Sequence, residues 1–506
     1  MTLQPILIGG QWRAANAASS FHAENPADGE RFSESYPVSS WTDCDAALNA
    51  ALNAANILRT APPEQLAKFL ARYAERIEAR KMELAEIAHA ETALAKVPRL
   101  ADVEIPRTTN QLRQAAAAAL DGAWALPTID AKLNIRSMLA PVGPVLVIGP
   151  NNFPFAYNGV AGGDFASAIA VGNSVIAKAH PCHPHTTQLL AKEAFAAVTE
   201  AGLPPATVQL IYQMSPEDGL RMVADKRLGA SGFTGSRAAG MKLKAAADAA
   251  GKPIYLEMSS INPVLILPGA LAERGEKLAG EFGTSCLMAS GQFCTSPGMV
   301  ILFASAEAEK FIAGVKVKLE ATAAATLLSS GVAQNLAAGV KALQSAGAEL
   351  VTGGAPLAGN KFANTVLRVG GDRFLSSPEK LQTEMFGNAS LIIVVRDAAQ
   401  AVEILSHLEG NLTGSIYSDT SGADDGLYEK LSPPLRQRVG RLLNDKMPTG
   451  VAVTAAMNHG GPFPATGHPG FTAVGFPASM RRFAMLQCYD NVRPHRLPSA
   501  LRDKNG

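Results

Sequence analysis

The segment Pro141-Val-Gly-Pro-Val-Leu-Val-Ile-Gly149 is an almost uninterrupted apolar run, and Pro150-Asn-Asn-Phe-Pro154 follows it directly. Such a run, closed by turn residues, is typical of a strand that is buried on both faces of a sheet. Similar runs recur along the chain, with helical segments between them. The predicted strands are 142–149, 174–179, 208–212, 229–233 and 254–258, and the predicted helices include 186–201 and 237–249. This alternation predicts a parallel α/β sheet that is covered by helices.

A second series of apolar runs begins after Glu257. Its predicted strands are 263–268, 299–304, 391–395 and 414–418, again separated by helices. The predicted fold class is therefore α/β, with two parallel-sheet domains that join near residues 257–262. Residues 123–140 predict a hairpin with a turn near 128–131, and residues 481–494 predict a further strand. Exposed edges of this kind are often paired with another subunit.

The region 43–120 is rich in Ala, Leu, Glu, Lys and Arg, and its apolar residues recur at helical spacing. We expect these long helices to cover a sheet rather than to carry chemistry.

The composition limits the kind of partner. Lys and Arg together number 45 against 44 Asp and Glu, so no overall field attracts nucleic acid or an anionic membrane. The sequence has no stretch of eighteen or more apolar residues and no basic N-terminal segment followed by an apolar run. Its five cysteines are odd in number and widely spaced, which predicts free thiols in a reducing compartment. We therefore expect a cytoplasmic protein without a nucleic-acid or membrane partner.

Two residues are candidates for covalent and acid–base chemistry. Cys294 stands in the polar segment Ser290-Gly-Gln-Phe-Cys294-Thr, where a thiol can be approached and ionised. A lone cysteine is more often a small buried residue, so the local sequence leaves both interpretations open. Glu257 ends an apolar strand, and a buried carboxylate of this kind suits a general base near neutrality. A helix cap or a buried salt bridge is the alternative for Glu257.

Further candidates lie after other strands, where ligands of open α/β sheets gather. The Asn152 amide can donate to a developing oxyanion, although Asn is also a common turn residue. The usual Gly-x-Gly-x-x-Gly motif is absent. Instead, Gly232-Phe-Thr-Gly235-Ser236-Arg237 joins a strand to a helix whose first amides favour an anion. Lys178 follows another strand and can contact a ribose or a phosphate.

The run His180-Pro-Cys-His183-Pro-His185 suggests metal ligands at first sight. Its prolines break the spacing that would bring the side chains to one face, so we expect no metal site.

Together and in this order, these segments resemble the aldehyde dehydrogenase superfamily, from Ile8-Gly-Gly-Gln-Trp12 to the tail. The resemblance implies that Cys294 is the nucleophile and that Glu257 activates water for deacylation. It implies that Asn152 and the Cys294 backbone amide form an oxyanion hole. The implied activity is oxidation of an aldehyde to a carboxylic acid through a thiohemiacetal and a thioester, with a nicotinamide cofactor.

The resemblance also implies roles in cofactor binding. Lys178 would lie at the adenosine ribose, and Gly235 and Ser236 beside the pyrophosphate. Glu384-Met-Phe386-Gly matches the family's Glu-x-Phe-Gly signature. Glu384 would therefore contact the nicotinamide ribose, and Phe386 would lie against the ring.

Charge near the strand lysine favours NADP, with NAD as the alternative. NAD-preferring relatives usually carry an acid three positions after this lysine, where Pro181 stands here. Lys178, His180 and Arg237 can supply positive charge to a 2′-phosphate. In the alternative interpretation, Arg237 is a solvated first-turn residue.

The family's architecture implies a coenzyme domain at 1–121 and 141–256 and a catalytic domain at 257–456. A small β oligomerisation flap would comprise residues 122–140 and 478–498, and a homodimer or homotetramer is expected.

Three departures from the usual family pattern indicate the branch. Asn151 replaces Trp before Asn152, Glu257-Met-Ser-Ser-Ile replaces Glu-Leu-Gly-Gly-Lys, and Asn458-His-Gly-Gly-Pro replaces Phe-Gly-Gly-x-Lys. The set resembles the branch of α-ketoglutaric semialdehyde dehydrogenases and NADP-dependent aldehyde dehydrogenases. The implied substrate is α-ketoglutaric semialdehyde (2,5-dioxopentanoate), oxidised to 2-oxoglutarate. The alternatives are a fatty or aromatic aldehyde, a catalytically silent structural relative, and a CoA-acylating relative, which the presence of Glu257 disfavours.

Overall fold

The structure is a computed structural model that describes residues 3–503. The strands are β1 (Ile6–Ile8), β2 (Gln11–Arg13), β3 (Ala17–Phe21), β4 (Tyr36–Ser39), β5 (Thr128–Asp130), β6 (Ile135–Pro141), β7 (Val145–Ile148), β8 (Val175–Lys178), β9 (Val208–Ile211), β10 (Gln213–Met214), β11 (Ala230–Thr234), β12 (Ile254–Glu257), β13 (Pro263–Ile266), β14 (Met299–Phe303), β15 (Glu349–Thr352), β16 (Pro356–Leu357), β17 (Lys361–Phe362), β18 (Thr365–Gly370), β19 (Ala389–Val395), β20 (Asn411–Tyr417), β21 (Val439–Asn444) and β22 (Ala484–Asp490). The α-helices are α1 (Trp41–Leu58), α2 (Pro63–Ala79), α3 (Lys81–Thr92), α4 (Ile105–Asp121), α5 (Gly163–Val171), α6 (Pro184–Ala201), α7 (Pro216–Val223), α8 (Arg237–Ala249), α9 (Pro268–Leu287), α10 (Ala306–Glu320), α11 (Ser330–Ser345), α12 (Gly371–Leu375), α13 (Pro378–Leu381), α14 (Ala398–His407) and α15 (Asp425–Arg436). A π-helical stretch, Lys96–Glu104, precedes α4. Across residues 3–503, no helix is long and apolar enough to cross a membrane.

The first large sheet has the strand order β12-β11-β7-β8-β9-β1-β2. Strands β12, β11, β7, β8 and β9 run parallel, and β1 and β2 add an antiparallel edge. Every residue of β9 is buried whichever face it points to, which explains the unbroken apolar runs. The first predicted strand begins later than expected, at Val145. Gly143 has a φ of +114°, and Pro144 has no amide hydrogen to donate to a ladder.

The second large sheet has the order β15-β18-β19-β14-β13-β20-β21 and is parallel except for β15. The α/β class with two parallel sheets is therefore confirmed. The sequence does not predict β18 or β21. In β21 the run Val439-Gly-Arg-Leu-Leu-Asn444 is interrupted by an arginine and is only partly buried, so it lacks the continuous apolar signature.

The predicted hairpin and tail strand form a third sheet in the order β22-β6-β5. The turn lies at residues 131–134, and the prediction of a turn near 128–131 is wrong because Thr128–Asp130 is itself a strand. The Asp130 carboxylate accepts the Leu133 amide, and Asn134 adopts a φ of +53°, which together close the turn. Within the described chain, β22 pairs with β6 on one side and is an edge strand on the other.

Parallel registry places several strand ends side by side. Thr234 of β11 is level with Glu257 of β12, and Ile148 of β7 is level with Lys178 of β8. The loops that follow these strands therefore meet at one edge of the first sheet, where such folds bind ligands. From this edge, residues 258–262 lead directly to β13, the first strand of the second sheet in chain order.

Candidate active site

A cavity of about 500 Å³ opens at this edge of the first sheet. Its lining residues belong to segments that precede or follow strands of both large sheets. Nine of the ten predicted site residues line it, namely Asn152, Lys178, His180, Gly235, Ser236, Glu257, Cys294, Glu384 and Phe386. The tenth, Arg237, lines a neighbouring cavity of about 280 Å³.

Cys294, Glu257 and His459 form one contact cluster. Cys294 Sγ lies 3.4 Å from His459 Nε2, and the same nitrogen lies 2.9 Å from Glu257 Oε1. The two latter side chains are almost completely buried, whereas Cys294 is half-buried. Glu257 Oε2 is also buried and has no hydrogen-bond partner among the described residues. A nucleophile and two proton-transfer groups are therefore within reach of one another.

His459 is the site residue that sequence analysis missed. It belongs to the segment Asn458-His-Gly-Gly-Pro, which the sequence marks only as a departure from the family pattern. That departure, a histidine where an aromatic residue is usual, was the available signal. The His459 ring packs 5.7 Å from the Tyr157 ring, centroid to centroid.

The surroundings keep the Cys294 thiol protonated. Burial raises the pKa of Cys294 well above its usual value, and the negative charge and hydrogen bond of Glu257 raise it further. The positive charge of Arg107 acts in the opposite direction and lowers this pKa. Because the thiolate is the reactive form, turnover requires that the thiol lose its proton to a neighbouring group.

Asn152 is held beside the nucleophile by its own amide. Its Nδ2 donates to the Gln292 carbonyl at 2.9 Å, two residues before Cys294 in the chain. A carboxamide carries two N–H donors, so one remains for an oxygen in the cavity. The geometry is compatible with the predicted oxyanion role.

The Asn152 loop is fixed by a buried carboxylate from the helical region. Glu104 Oε1 accepts the backbone amides of Phe155 and Ala156 at 2.8 and 3.0 Å, and Glu104 also bonds Arg99. Arg99 in turn donates to the Asn152 carbonyl at 3.2 Å. The region 43–120 therefore also fixes the Asn152 loop, besides covering the first sheet as expected. Its polar residues were overlooked because their partners lie some fifty positions away in the chain.

Lys178 provides the unpaired cation in the cavity. Burial lowers its pKa to about 8, and no carboxylate in the described part of the chain pairs with it. His180 does not supply the positive charge expected from the sequence. Burial lowers the pKa of His180 well below its usual value, and its Nδ1 accepts the Cys182 amide at 3.2 Å, so the ring is neutral.

Gly235 and Ser236 lie where β11 passes into α8. A Cβ on Gly235 would come within 2.8 Å of the Phe233 ring, so any other residue here would have to displace that ring. Ser236 caps α8 by accepting the Ala239 amide at 3.4 Å. Arg237 Nη1 bonds Glu409 at 2.8 Å, with both side chains about two-fifths exposed. Its charge is thus partly neutralised outside the cavity that Lys178 lines.

Glu384 and Phe386 enter the cavity from the second sheet's side. Burial raises the pKa of Glu384 to about 7, against the lowering effect of hydrogen bonds from Ser259 and Ser260. An acid in this state can accept hydrogen bonds from a ribose at modest electrostatic cost.

The histidine run after β8 serves the fold. His183 contacts Thr187 Oγ1 at 3.4 Å and the Pro150 carbonyl at 3.0 Å through its two ring nitrogens. These bonds join the start of α6 to the loop before Asn152, and they leave no free nitrogen on this ring for a ligand.

A thiol that meets a buried carboxylate at the ligand-binding edge of an α/β sheet is the arrangement expected of an oxidoreductase with covalent cysteine chemistry. The model of the aldehyde dehydrogenase family matches residues 12–432, and the chain belongs to that family. It is an aldehyde-oxidising enzyme.

Curated relatives cover almost the whole chain. An alpha-ketoglutaric semialdehyde dehydrogenase 2 of Azospirillum brasilense is 37% identical over 99% of this chain and 96% of its own. An alpha-ketoglutaric semialdehyde dehydrogenase of Acinetobacter baylyi is 35% identical over 98% of this chain and 95% of its own. Among solved structures, a mutant of aldehyde dehydrogenase C from Pseudomonas syringae, complexed with NAD⁺ and octanal, superposes with a TM-score of 0.82. The two chains are 21% identical, and the superposition covers 98% of each, so this structure supports the fold.

We predict that Cys294 alkylates slowly near neutral pH and that the rate still rises above pH 9, because its raised pKa keeps the thiolate scarce. Glu257→Gln removes a negative charge and should increase the rate at any pH below that pKa. Iodoacetamide labelling followed by mass spectrometry of each cysteine measures this. Exposed Cys488 and buried Cys286 provide the fast and the unreactive reference in the same sample. Slower labelling of Cys294 in Glu257→Gln would contradict the electrostatic account.

Proposed function

We propose that this protein oxidises α-ketoglutaric semialdehyde to 2-oxoglutarate with NADP, through a covalent adduct on Cys294. The observation that carries the proposal is the Cys294–His459–Glu257 contact beside a cavity large enough for a dinucleotide. The names of the two curated relatives support the substrate.

In the proposed first step the Cys294 sulfur attacks the aldehyde carbon, and the carbonyl becomes an alkoxide. The thiol proton passes through Glu257 Oε2, the buried oxygen that has no other partner, and on to solvent, so Glu257 is ionised again before the second step. Asn152 Nδ2 and the Cys294 amide stabilise the alkoxide, an effect worth about 3–4 kcal/mol per donor in the transition state. His459 is a positioning residue that donates to Glu257 Oε1 and keeps Oε2 directed at the reacting atoms.

A bound nicotinamide dinucleotide supplies the acceptor for the hydride that leaves the alkoxide carbon as the carbonyl re-forms. This leaves a thioester on Cys294. Lys178, Ser236, Glu384 and Phe386 would hold the cofactor, and their distribution along the cavity fits a molecule with an anionic and an aromatic end.

In the second step water attacks the thioester carbon while Glu257 accepts a proton from it. The carbon–sulfur bond breaks, the product leaves as a carboxylate after losing its proton to solvent, and the Cys294 thiolate takes back the proton held by Glu257. Retention of Glu257 also disfavours transfer of the acyl group to CoA, since that transfer needs no water-activating base. The assembled cluster disfavours a silent structural role.

Substitution of the nucleophile and the base should affect different steps. Cys294→Ala should abolish turnover. Glu257→Gln should retain a burst of about one NADPH per site, because loss of the negative charge lowers the Cys294 pKa and lets the thiol proton pass to water. Its steady-state rate should fall about 10²–10⁴-fold, because deacylation lacks its base. Stopped-flow absorbance measures both phases, and Cys488→Ala serves as the cysteine control. Full steady-state activity in Cys294→Ala would refute the mechanism.

The NADP preference is attributed to Lys178 together with Pro181, which leaves no acid to repel a 2′-phosphate. We expect Lys178→Met to lower the ratio of kcat/KM for NADP over NAD by about tenfold, since one charge-assisted contact is lost. Lys192→Met, an exposed lysine on α6, is the control for a simple change of charge. An unchanged ratio in Lys178→Met would assign cofactor choice to another residue.

The side chains around Cys294 bear on the choice between two classes of aldehyde. An apolar cluster beside the nucleophile includes Phe153, Tyr157 and Phe471, with Phe293 packed against it, and this favours a fatty or aromatic aldehyde as a second candidate. We expect the wild-type kcat/KM for α-ketoglutaric semialdehyde to exceed those for succinic semialdehyde and hexanal. A coupled assay with NADP and NAD measures all three. A higher value for hexanal would establish the second candidate instead.

A further inference from the structure

Two arginines come close to Cys294 without an acidic partner. Arg107, on α4, donates to Gln111 Oε1 at 3.4 Å, to the Val451 carbonyl at 2.6 Å and to the Tyr157 hydroxyl at 3.0 Å. Arg441, on β21, donates to the carbonyls of Pro448 and Gly450 at 2.9 and 3.1 Å. All of these acceptors are uncharged, and neither arginine forms an ion pair within residues 3–503.

The two guanidinium groups meet at one loop. Arg441 contacts the Gly450 carbonyl and Arg107 contacts the next carbonyl in the chain, that of Val451. The Gly450 amide donates to Thr295 Oγ1 at 3.1 Å, and Thr295 directly follows Cys294. This loop therefore fixes both arginines relative to the nucleophile.

Both arginines lie outside the cofactor cavity. Neither of them lines that cavity, and neither does Tyr157 or Val451. Arg107 bonds Tyr157, which packs against His459, so three contacts join the Arg107 head to the Cys294 sulfur. Arg107 and Arg441 are half-buried residues, as are Phe293 and Val451, so each keeps part of its surface in contact with solvent.

The positive charges of Arg107 and Arg441 have no acidic partner in the described chain, as expected of an anion-binding site. Burial lowers the pKa of Arg441, and its Nε is buried without any hydrogen-bond partner. A guanidinium has five N–H donors, so both side chains retain donors after these contacts are counted. Two half-buried cations at one loop repel each other unless an anion joins them, and a carboxylate matches their fork geometry.

We propose that Arg107 and Arg441 together bind the distal carboxylate of the aldehyde substrate and so select ω-carboxylated aldehydes over apolar ones. This inference rests on the proposed function and adds the residues that recognise the far end of the substrate. Nearby Arg99 is a contrast, because it is already paired with Glu104 and stacks 4.5 Å from the Phe153 ring centre. Arg99 therefore holds the loop, whereas the other two arginines are available to a ligand.

The test is the ratio of kcat/KM for α-ketoglutaric semialdehyde over that for hexanal, measured with saturating cofactor. Arg107→Met and Arg441→Met should each lower this ratio about 30-fold or more, mainly through the KM of the carboxylated aldehyde. Arg113→Met removes an exposed arginine from the same helix and should change the ratio less than about twofold. Arg107→Lys and Arg441→Lys keep the positive charge but lose the paired N–H donors of the guanidinium. If a Met variant does not fold, the same kcat/KM ratio is measured on the corresponding Lys variant, and a lowered ratio is expected there too.

Inhibition of hexanal oxidation by glutarate provides a second readout that does not depend on the natural substrate. We expect competitive inhibition of the wild type that is weakened in both arginine variants. An equal loss on both aldehydes would assign the arginines to ionisation of the Cys294 thiol and overturn the proposal, as would an unchanged ratio. If the wild type does not prefer the carboxylated aldehyde, the proposed substrate is wrong. The arginine pair is then judged by glutarate alone, and inhibition that is absent, or equal in wild type and variants, refutes it.

Discussion

The buried carboxylate of Glu257 is the group on which the chemistry of this site depends. An ionised carboxylate removed from water is costly by several kcal/mol unless hydrogen bonds replace its hydration. Here His459 satisfies Oε1, while Oε2 is left without a partner. The group is held in one orientation but keeps a free, poorly solvated acceptor, which is what a base for water needs. Its charge raises the pKa of Cys294, so the group to which we assign deacylation also keeps the resting thiol unreactive.

Glu104 shows what full compensation of a buried carboxylate produces. Its oxygens accept two backbone amides and a guanidinium, so no lone pair faces a ligand, and its effect is to fix the Asn152 loop. The two glutamates are both essentially inaccessible, at 0% and 1% exposure. The difference between a structural and a catalytic role lies in the number of satisfied oxygens, not in burial. The helical region therefore contributes to the site indirectly, by holding the oxyanion donor in place.

The sequence predicts the central strands well because they are buried on both faces and read as unbroken apolar runs. It also indicates the nucleophile, the base and the oxyanion donor, because these stand in separate motifs in chain order. It does not indicate His459 or Arg107, since each reaches the site through contacts across a hundred or more positions. It does not indicate Arg441 because this residue stands in a strand with a broken apolar pattern, and its bonds to the loop at 448–450 carry no sequence signal. The sequence also does not show which basic side chains carry a free positive charge. Burial makes His180 neutral, and Arg237 forms an ion pair with Glu409. Neither burial nor pairing is visible in a local motif.

The distribution of charge along the site favours one orientation of the reactants. Glu257 and Glu384 line the cavity together with Cys294, as does the unpaired Lys178, whereas Arg107 and Arg441 lie outside it. An oxidised nicotinamide ring is positive and its phosphates are negative, while a semialdehyde with a distal carboxylate is neutral at its reactive carbon. Coulomb attraction places the neutral and positive groups near the carboxylates and the anionic ends at the cations. In the reverse orientation, an anion would lie against Glu257 in a poorly solvated space. In the proposed mechanism the same two carboxylates would therefore also disfavour unproductive binding of a carboxylated substrate.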